Sequence, residues 1–245
     1  MRNHLSLRSG NPVLTKETFN TVSSSSGQMT IEGTVNKTAL SLFLLIGTGY
    51  LTFNPISPGI IFTCGIGGFL VAIITVFKKQ WAPITVPIYA ILEGALLGGV
   101  SFMYNSLYDG IVTNAIFLTV GILLALLTAY RSGIIKPTEN FKLGIFAATG
   151  GIAIVYFVNF IMGFFGSSMG IMQINNASPI SIGFSVVVVI IAALNLVLDF
   201  DFIEEGAENG APKYMEWYGA FGLLVTLIWL YLEILRLLAK LNSRR

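Results

Sequence analysis

Seven long apolar stretches constrain the fold of this chain more than any other feature of its sequence. A membrane-spanning helix needs roughly 20 predominantly apolar residues, and the stretches approach or reach that length. They cover residues 38–53, 58–77, 83–103, 111–130, 143–165, 179–198 and 214–238. Lipid leaves only helices and closed barrels as spanning structures, and barrel strands would alternate in polarity. The sequence therefore predicts an all-α polytopic membrane protein with seven transmembrane helices.

The composition agrees with a membrane protein and excludes several other classes. Hydrophobic residues make up 54% of the chain and charged residues 11%, whereas soluble domains carry about 25% charged residues. A net charge of +2 is too balanced for a nucleic-acid-binding protein. The single cysteine, Cys64, and the single histidine, His4, exclude an intrachain disulfide and a cysteine- or histidine-based metal or haem site in the membrane. We therefore expect no bound cofactor and no soluble enzyme.

Residues 1–36 differ from the rest of the chain because they are polar, with four consecutive serines at 23–26. No apolar segment follows the first arginine, as it would in a cleavable signal peptide. This composition predicts a disordered tail over residues 1–36, followed by one membrane domain over residues 37–245.

The distribution of Lys and Arg predicts how the chain is oriented in the membrane. The tail and the loops after the second and fourth stretches contain Lys or Arg, whereas the loops after the first, third and fifth contain none. By the positive-inside rule, the N-terminus is cytoplasmic. Seven crossings would then place Arg236 and the cations after it outside, against the rule. The last helix either crosses fully or re-enters, and we expect full crossing because residues 223–238 are long enough to span.

Acidic side chains inside the apolar stretches are the first candidates for functional residues, because charge at membrane depth is costly. Glu93 lies near the middle of the third stretch, Asp199 ends the sixth, and Glu233 lies inside the seventh. Gly94 and Gly98 follow Glu93 in the small-xxx-small pattern of close helix contacts. For Glu93 we therefore favour a protonated side chain that bonds across such a contact.

Asp199 and Glu233 each have two interpretations. Asn195 precedes Asp199 by four residues, so an amide and a carboxyl share one helix face; alternatively, Asp199 only ends its helix at the membrane surface. Arg236 follows Glu233 by three residues, so it either pairs with that carboxylate or extends toward the nearer interface.

The depth of Glu233 depends on the shape of the last helix. In a straight helix, Glu233 lies roughly 28 Å from the start of the seventh stretch and far from Asp199. Residues 212–222 form an aromatic, amphipathic segment of interfacial character, and its glycines permit a bend. We predict the bent form, in which the crossing begins near Leu223. Glu233 is then about 15 Å deep, near the midplane and close to Asp199.

Three motifs contain these acids in order along the chain. Residues 87–94 end in Glu-Gly, residues 198–203 read Leu-Asp-Phe-Asp-Phe-Ile and include Asp201, and residues 230–234 read Leu-Tyr-Leu-Glu-Ile. Together they resemble the third, sixth and last helices of the Bax inhibitor (YccA-like) family, most closely a bacterial branch. The resemblance implies a seven-helix bundle with the last helix in the centre, in the plasma membrane. It also implies a pH-sensing pair of acids and a passive leak of calcium.

The resemblance assigns the pH-sensing and calcium-contacting roles to Asp199 and Glu233. The remaining polar candidates are Glu93, Asn195, Asp201 and Arg236. Two departures from the family pattern stand out. The last-helix acid here is Glu where the family has Asp, and the second stretch has no arginine like the one that latches the acids in relatives.

A paired carboxylate suggests how such a leak would be gated. Two close carboxyls in a low dielectric share one proton and hold the sixth and seventh helices together. When both ionise at higher pH, they repel each other and offer oxygen ligands to calcium, the permeant ion. Two other functions stay open: a proton-coupled carrier, and an interaction protein that binds a partner such as a membrane protease. We expect no enzyme, because the Gly-x-Gly-Asp motif of an intramembrane aspartyl protease is missing.

Overall fold

The computed structural model describes residues 27–55 and 57–244. These residues form seven α-helices: α1 Ile31–Leu51, α2 Pro58–Phe77, α3 Ala82–Leu107, α4 Ile111–Arg131, α5 Glu139–Phe164, α6 Pro179–Glu208 and α7 Met215–Asn242. Short 3₁₀ turns at Lys79–Trp81 and Gly170–Met172 precede α3 and α6. Over this part of the chain there is no strand, only an isolated bridge between Gln28 and Pro212. The all-α prediction is confirmed.

Six of the helices, α2 to α7, are long and apolar enough to cross a membrane by length and composition. The first helix, α1, has 21 residues but is not among the six, since its first turns are polar. The most buried candidate span is α7, with 61% of its apolar window inside the protein, against 50% or less in the others. This agrees with a polytopic helical bundle whose last helix is largely buried.

The start of α1 corrects the predicted boundary of the N-terminal tail. Residues 1–26 of that tail, with His4, lie outside the described residues. Thr30 caps α1, and its Oγ1 accepts a hydrogen bond of 3.0 Å from the Gly33 amide. Residues 31–36 are therefore helical, because a threonine N-cap satisfies one of the free amides of the first turn.

The end of α6 lies ten residues beyond the predicted one, at Glu208 rather than residue 198. The acidic residues that follow the apolar stretch continue the helix to Glu208, because glutamate is a good helix former once the helix has left the apolar layer. With 30 residues, α6 is about 45 Å long. The connection to α7 shrinks to residues 209–214, where Gly210 adopts a φ of 66°.

The predicted bend in the last helix is wrong. From Met215 to Asn242, α7 is one continuous helix of 28 residues. Met215, Tyr218 and Phe221 are wholly buried, so this aromatic segment is part of the protein core rather than of the membrane interface. Burial of this apolar face outweighs the weak helix preference of the glycines, which costs about 1 kcal/mol each.

The chain divides into two compact units. Unit A consists of residues 108–200 and 226–244, which contain α4, α5, most of α6 and the second half of α7. Unit B consists of the described residues up to 107 and of residues 201–225, which contain α1 to α3 and the turn between α6 and α7.

Within unit B, α1 and α2 both pack on α3. The predicted small-residue contact is confirmed on the α1 side: a Cβ atom at Gly94 would overlap the Thr48 hydroxyl and the Leu45 carbonyl. A Cβ atom at Gly98 would overlap the carbonyl of Gly49 in the same way. Glycine is required at both positions because the two backbones approach each other closely.

The segment before α1 is also held within unit B. The amide of Met29 donates to the Ala211 carbonyl at 2.7 Å. Thr30 donates twice to Glu216 Oε1, from its amide at 3.1 Å and from its hydroxyl at 2.8 Å. Lys213 donates to the same carboxyl oxygen at 2.8 Å. The buried Glu216 therefore ties the start of α1 to the first turn of α7.

Candidate functional site

Glu233 lies at the centre of a buried polar cluster in unit A. It is 2% exposed, and both of its carboxyl oxygens accept hydrogen bonds of 2.8 Å from Arg236 Nη1. The Tyr156 hydroxyl of α5 donates to Oε1 of Glu233 at 2.5 Å. Arg236 also donates to the Tyr156 oxygen at 2.9 Å. We call these three residues the Glu233 latch.

The latch connects α5 to α7, because Tyr156 of α5 bonds to both charged side chains of α7, Glu233 and Arg236. The guanidinium of Arg236 also lies over the Tyr156 ring, 5.4 Å from its centre. The side chain of Arg236 is 24% exposed, so the ion pair is mostly removed from water. Loss of one partner of a buried pair costs about 3–5 kcal/mol, because the remaining charge is left uncompensated. In this conformation the Glu233 carboxylate is occupied by protein donors rather than open to a cation.

Of the two interpretations of Glu233, the pairing with Arg236 is therefore the one observed. Spacing of three residues within α7 brings the two side chains to one helix face. Tyr156 was missed in the sequence, because it lies 77 residues before Glu233 and nothing in its neighbourhood distinguishes it from other aromatic residues in apolar helices.

A second buried cation lies near the end of α7. Lys240 is 0% exposed and donates to the Ile171 carbonyl at 2.6 Å, the Ser185 hydroxyl at 2.9 Å and the Ser181 carbonyl at 3.2 Å. These contacts place the end of α7 beside the start of α6, so α7 extends along the whole of unit A without turning back. The structure shows no re-entrant turn within α7, and the full crossing stays a prediction.

The register of α6 and α7 gives an approximate spacing between Asp199 and Glu233. The two helices are antiparallel, and Lys240 lies level with Ser181 and Ser185. Counted from that level at about 1.5 Å per residue, Glu233 is about 10 Å away and Asp199 about 24 Å. By this count, along the straight α7, the two acids lie about 13–14 Å apart on the helix axes, and their pairing stays a prediction.

Asp199 is nevertheless a buried acid of α6. It is 0% exposed, and the helix continues beyond it to Glu208, which contradicts the interpretation that Asp199 only ends a helix at the surface. Asn195, one turn earlier, donates to the Thr149 hydroxyl at 2.9 Å and to its own Ile191 carbonyl at 2.8 Å. Asn195 therefore bonds α6 to α5.

A comparison of the sequence with protein-family models identifies the family of this chain. The family model described as Bax inhibitor 1 like matches residues 11–243. The chain belongs to the Bax inhibitor 1 like family. No curated protein matches the chain. The resemblance seen in the three motifs is thereby confirmed at the level of the family.

As a member of the Bax inhibitor family, the chain departs from the expected latch in an informative way. The helix α2, Pro58–Phe77, contains no Lys or Arg. The structure instead supplies Arg236, from the same helix as the acid that it holds. The cation that pairs with Glu233 in this chain therefore comes from α7 itself.

The other two acidic candidates of this Bax inhibitor family member lie in unit B. Glu93 is buried in α3 against Gly68 of α2, where an added Cβ would come within 2.5 Å of Glu93 Oε1. Glu93 therefore reaches across a helix contact, on the α2 side of α3. Asp201 is half-buried in α6. Among the described residues, no group of three or more His, Cys, Asp or Glu side chains could hold a metal ion.

Proposed function

We propose that this Bax inhibitor family member is a pH-sensitive passive leak for calcium ions in the plasma membrane, with the Glu233 latch as its gate. The observation that supports the proposal is a buried carboxylate inside a membrane-spanning helix, held by an arginine and a tyrosine. Ionisable residues at membrane depth are expensive, and in channels and transporters they mark ion or proton pathways.

The proposed closed state is the one in which Glu233 is ionised and paired with Arg236. Acid protonates the carboxylate, removes its negative charge and leaves the guanidinium without an ionic partner. The contact between α5 and α7 then weakens, and the path opens. This predicts a leak that increases as pH falls. A shared proton between Asp199 and Glu233 would give the opposite direction, so the sign of the pH dependence separates the two mechanisms.

The ligand preferences of calcium make it a better candidate for the permeant species than a larger substrate. Calcium takes oxygen ligands and does not need a rigid cage, and weak binding at a single acid allows the ion to leave again. Asp199 supplies such a carboxyl at a different depth of unit A. The second acid thus contributes to the path of the ion rather than to the gate.

The test is calcium flux into proteoliposomes across a range of pH, for the natural chain and for Glu233→Gln. The glutamine amide of that variant is neutral at every pH, so we expect its flux to be high and flat, whereas the flux of the natural chain rises as pH falls. Glu208→Gln is the matched control, because Glu208 is an exposed acid at the end of α6. It should keep the natural profile.

Two results would overturn the proposal. A Glu233→Gln variant that keeps the natural pH profile would remove the latch from gating. A natural chain that passes no calcium at any pH would remove the leak itself, and would favour the alternative of an interaction protein.

A further inference from the structure

Lys240 is held by an unusual set of partners. Its Nζ lies within 2.6–3.2 Å of three oxygens, from the Ile171 carbonyl, the Ser181 carbonyl and the Ser185 hydroxyl. The Ser181 hydroxyl also donates to the Ile171 carbonyl at 3.1 Å, which connects two members of the set to each other. We call these three oxygens the Lys240 cradle.

The three oxygens suit an ammonium group in number. An ammonium group has three N–H donors, one for each of the two carbonyls and the hydroxyl. None of the three partners is a carboxylate. On the same helix, Glu233 lies seven residues away, about 10 Å along the axis, and its oxygens already accept from Arg236 and Tyr156. The cradle therefore solvates a positive charge with neutral oxygens.

We infer that the Lys240 cradle is a binding site for a monovalent cation of the size of ammonium or potassium, which Lys240 fills with its own ammonium. Neutral carbonyl and hydroxyl oxygens that replace a hydration shell are the ligands used for potassium. Calcium prefers six to eight oxygens, carboxylates among them. The cradle has three oxygens, and none of them belongs to a carboxylate. Lys240 thus acts as a tethered ion.

The position of this site gives it a role. Lys240 lies four residues beyond Arg236, one helical turn from the Glu233 latch. A fixed positive charge there closes the end of unit A at which α6 begins, and repels a cation that approaches the latch. This second statement rests on the proposed leak, whereas the binding of a cation by the cradle does not.

The site is tested by thermal unfolding of Lys240→Ala in detergent. The truncation empties the cradle, so ammonium or potassium chloride should raise the Tm relative to N-methylglucamine chloride of equal ionic strength. We expect a rise on the order of 3 °C that grows with ion concentration, as binding to the folded state requires. Lys240→Met is the matched variant, because its side chain fills the same space without leaving room for an ion.

The controls define what contradicts the site. Three proteins serve as controls: the natural chain, Lys240→Met, and Lys78→Ala, which replaces an exposed lysine. For each of them, the Tm should not change between the ammonium, potassium and N-methylglucamine salts. A Lys240→Ala variant that also ignores the cation would overturn the inference. If Lys240→Ala does not fold, Lys240→Ser takes its place, and Ser185→Ala combined with Lys240→Ser should lose the ammonium effect. An unchanged effect in the double variant would count against the cradle.

Flux measurements separate this inference from the proposed function. In proteoliposomes, Lys240→Ala should leak more than the natural chain at every pH, and added ammonium should reduce that excess. If the natural chain does not leak but ammonium still stabilises Lys240→Ala, the proposed function fails and the cradle stands. If the natural chain leaks and Lys240→Ala neither leaks more nor responds to ammonium, the cradle fails and the leak stands.

Discussion

At the scale of single residues, two buried charged groups of unit A, Glu233 and Lys240, are compensated in different ways. Glu233 and Arg236 neutralise each other, and the Tyr156 hydroxyl completes the set. Lys240 is surrounded by carbonyl and hydroxyl oxygens. Since each uncompensated charge would cost several kcal/mol in this setting, these contacts decide which conformation the helices keep.

Asp199→Asn tests whether the two acids act as one unit or as two. Because the register separates Asp199 from the Glu233 latch by about 13 Å, we expect calcium flux to fall about tenfold, equivalent to about 1.4 kcal/mol of lost attraction. The pH dependence should remain. Asp109→Asn, an exposed acid between α3 and α4, is the control. If Asp199→Asn instead abolished the pH dependence as Glu233→Gln does, the acids would be coupled.

At the scale of helices, glycines allow the close contact between α1 and α3. Gly94→Ala would force a methyl group into the Thr48 hydroxyl and the Leu45 carbonyl, and overpacking of this kind costs about 1–3 kcal/mol. We expect a lower Tm, measured by thermal unfolding in detergent. Gly121→Ala in α4 is the matched control, because nothing lies within 4 Å of an added Cβ there. Equal Tm values for the two variants would contradict the close contact.

Helix limits were predictable where the sequence marks them and not elsewhere. The limits of α2, Pro58–Phe77, match the prediction because a proline begins the apolar run and two lysines follow it. The end of α6 was missed, since hydropathy locates the lipid layer whereas a helix ends at its own stop signal, here Gly210. The straightness of α7 was missed because an aromatic segment has the same composition in a core as at an interface.

The candidate site was predictable only in its local part. The pairing of Glu233 with Arg236 follows from a spacing of three residues in a helix. Tyr156 and the oxygens around Lys240 come from other helices and loops, 55 to 77 residues away, and no periodicity encodes such contacts. Lys240 was grouped with the C-terminal cations, because a lysine near a helix end is usually exposed.

At the scale of the whole molecule, the contacts of Lys240 predict the side of the C-terminus. Ser243 follows Lys240 closely, so it should lie on the same side of the membrane as Ser168, which precedes α6. Ser132 should lie on the opposite side, because the 26 residues of α5 form a helix of about 39 Å, long enough to cross.

Labelling of single cysteines in intact cells measures this arrangement. Cys64→Ser removes the only native thiol, and Ser243→Cys, Ser168→Cys and Ser132→Cys are then introduced one at a time. An impermeant maleimide should label the first two alike and the third only after the membrane is opened. Different labelling of Ser243→Cys and Ser168→Cys would contradict the placement of Lys240.

The attachment of Thr30 to Glu216 fixes where the polypeptide enters the bundle. Met29 and Thr30 are bound to the turn before α7 and to its first residues. Any domain joined upstream of Gln28 would consequently lie beside that turn. A pulling force on that domain would act on the first turn of α7. A reporter fused at this point would sense strain at one end of the helix whose other end carries Lys240.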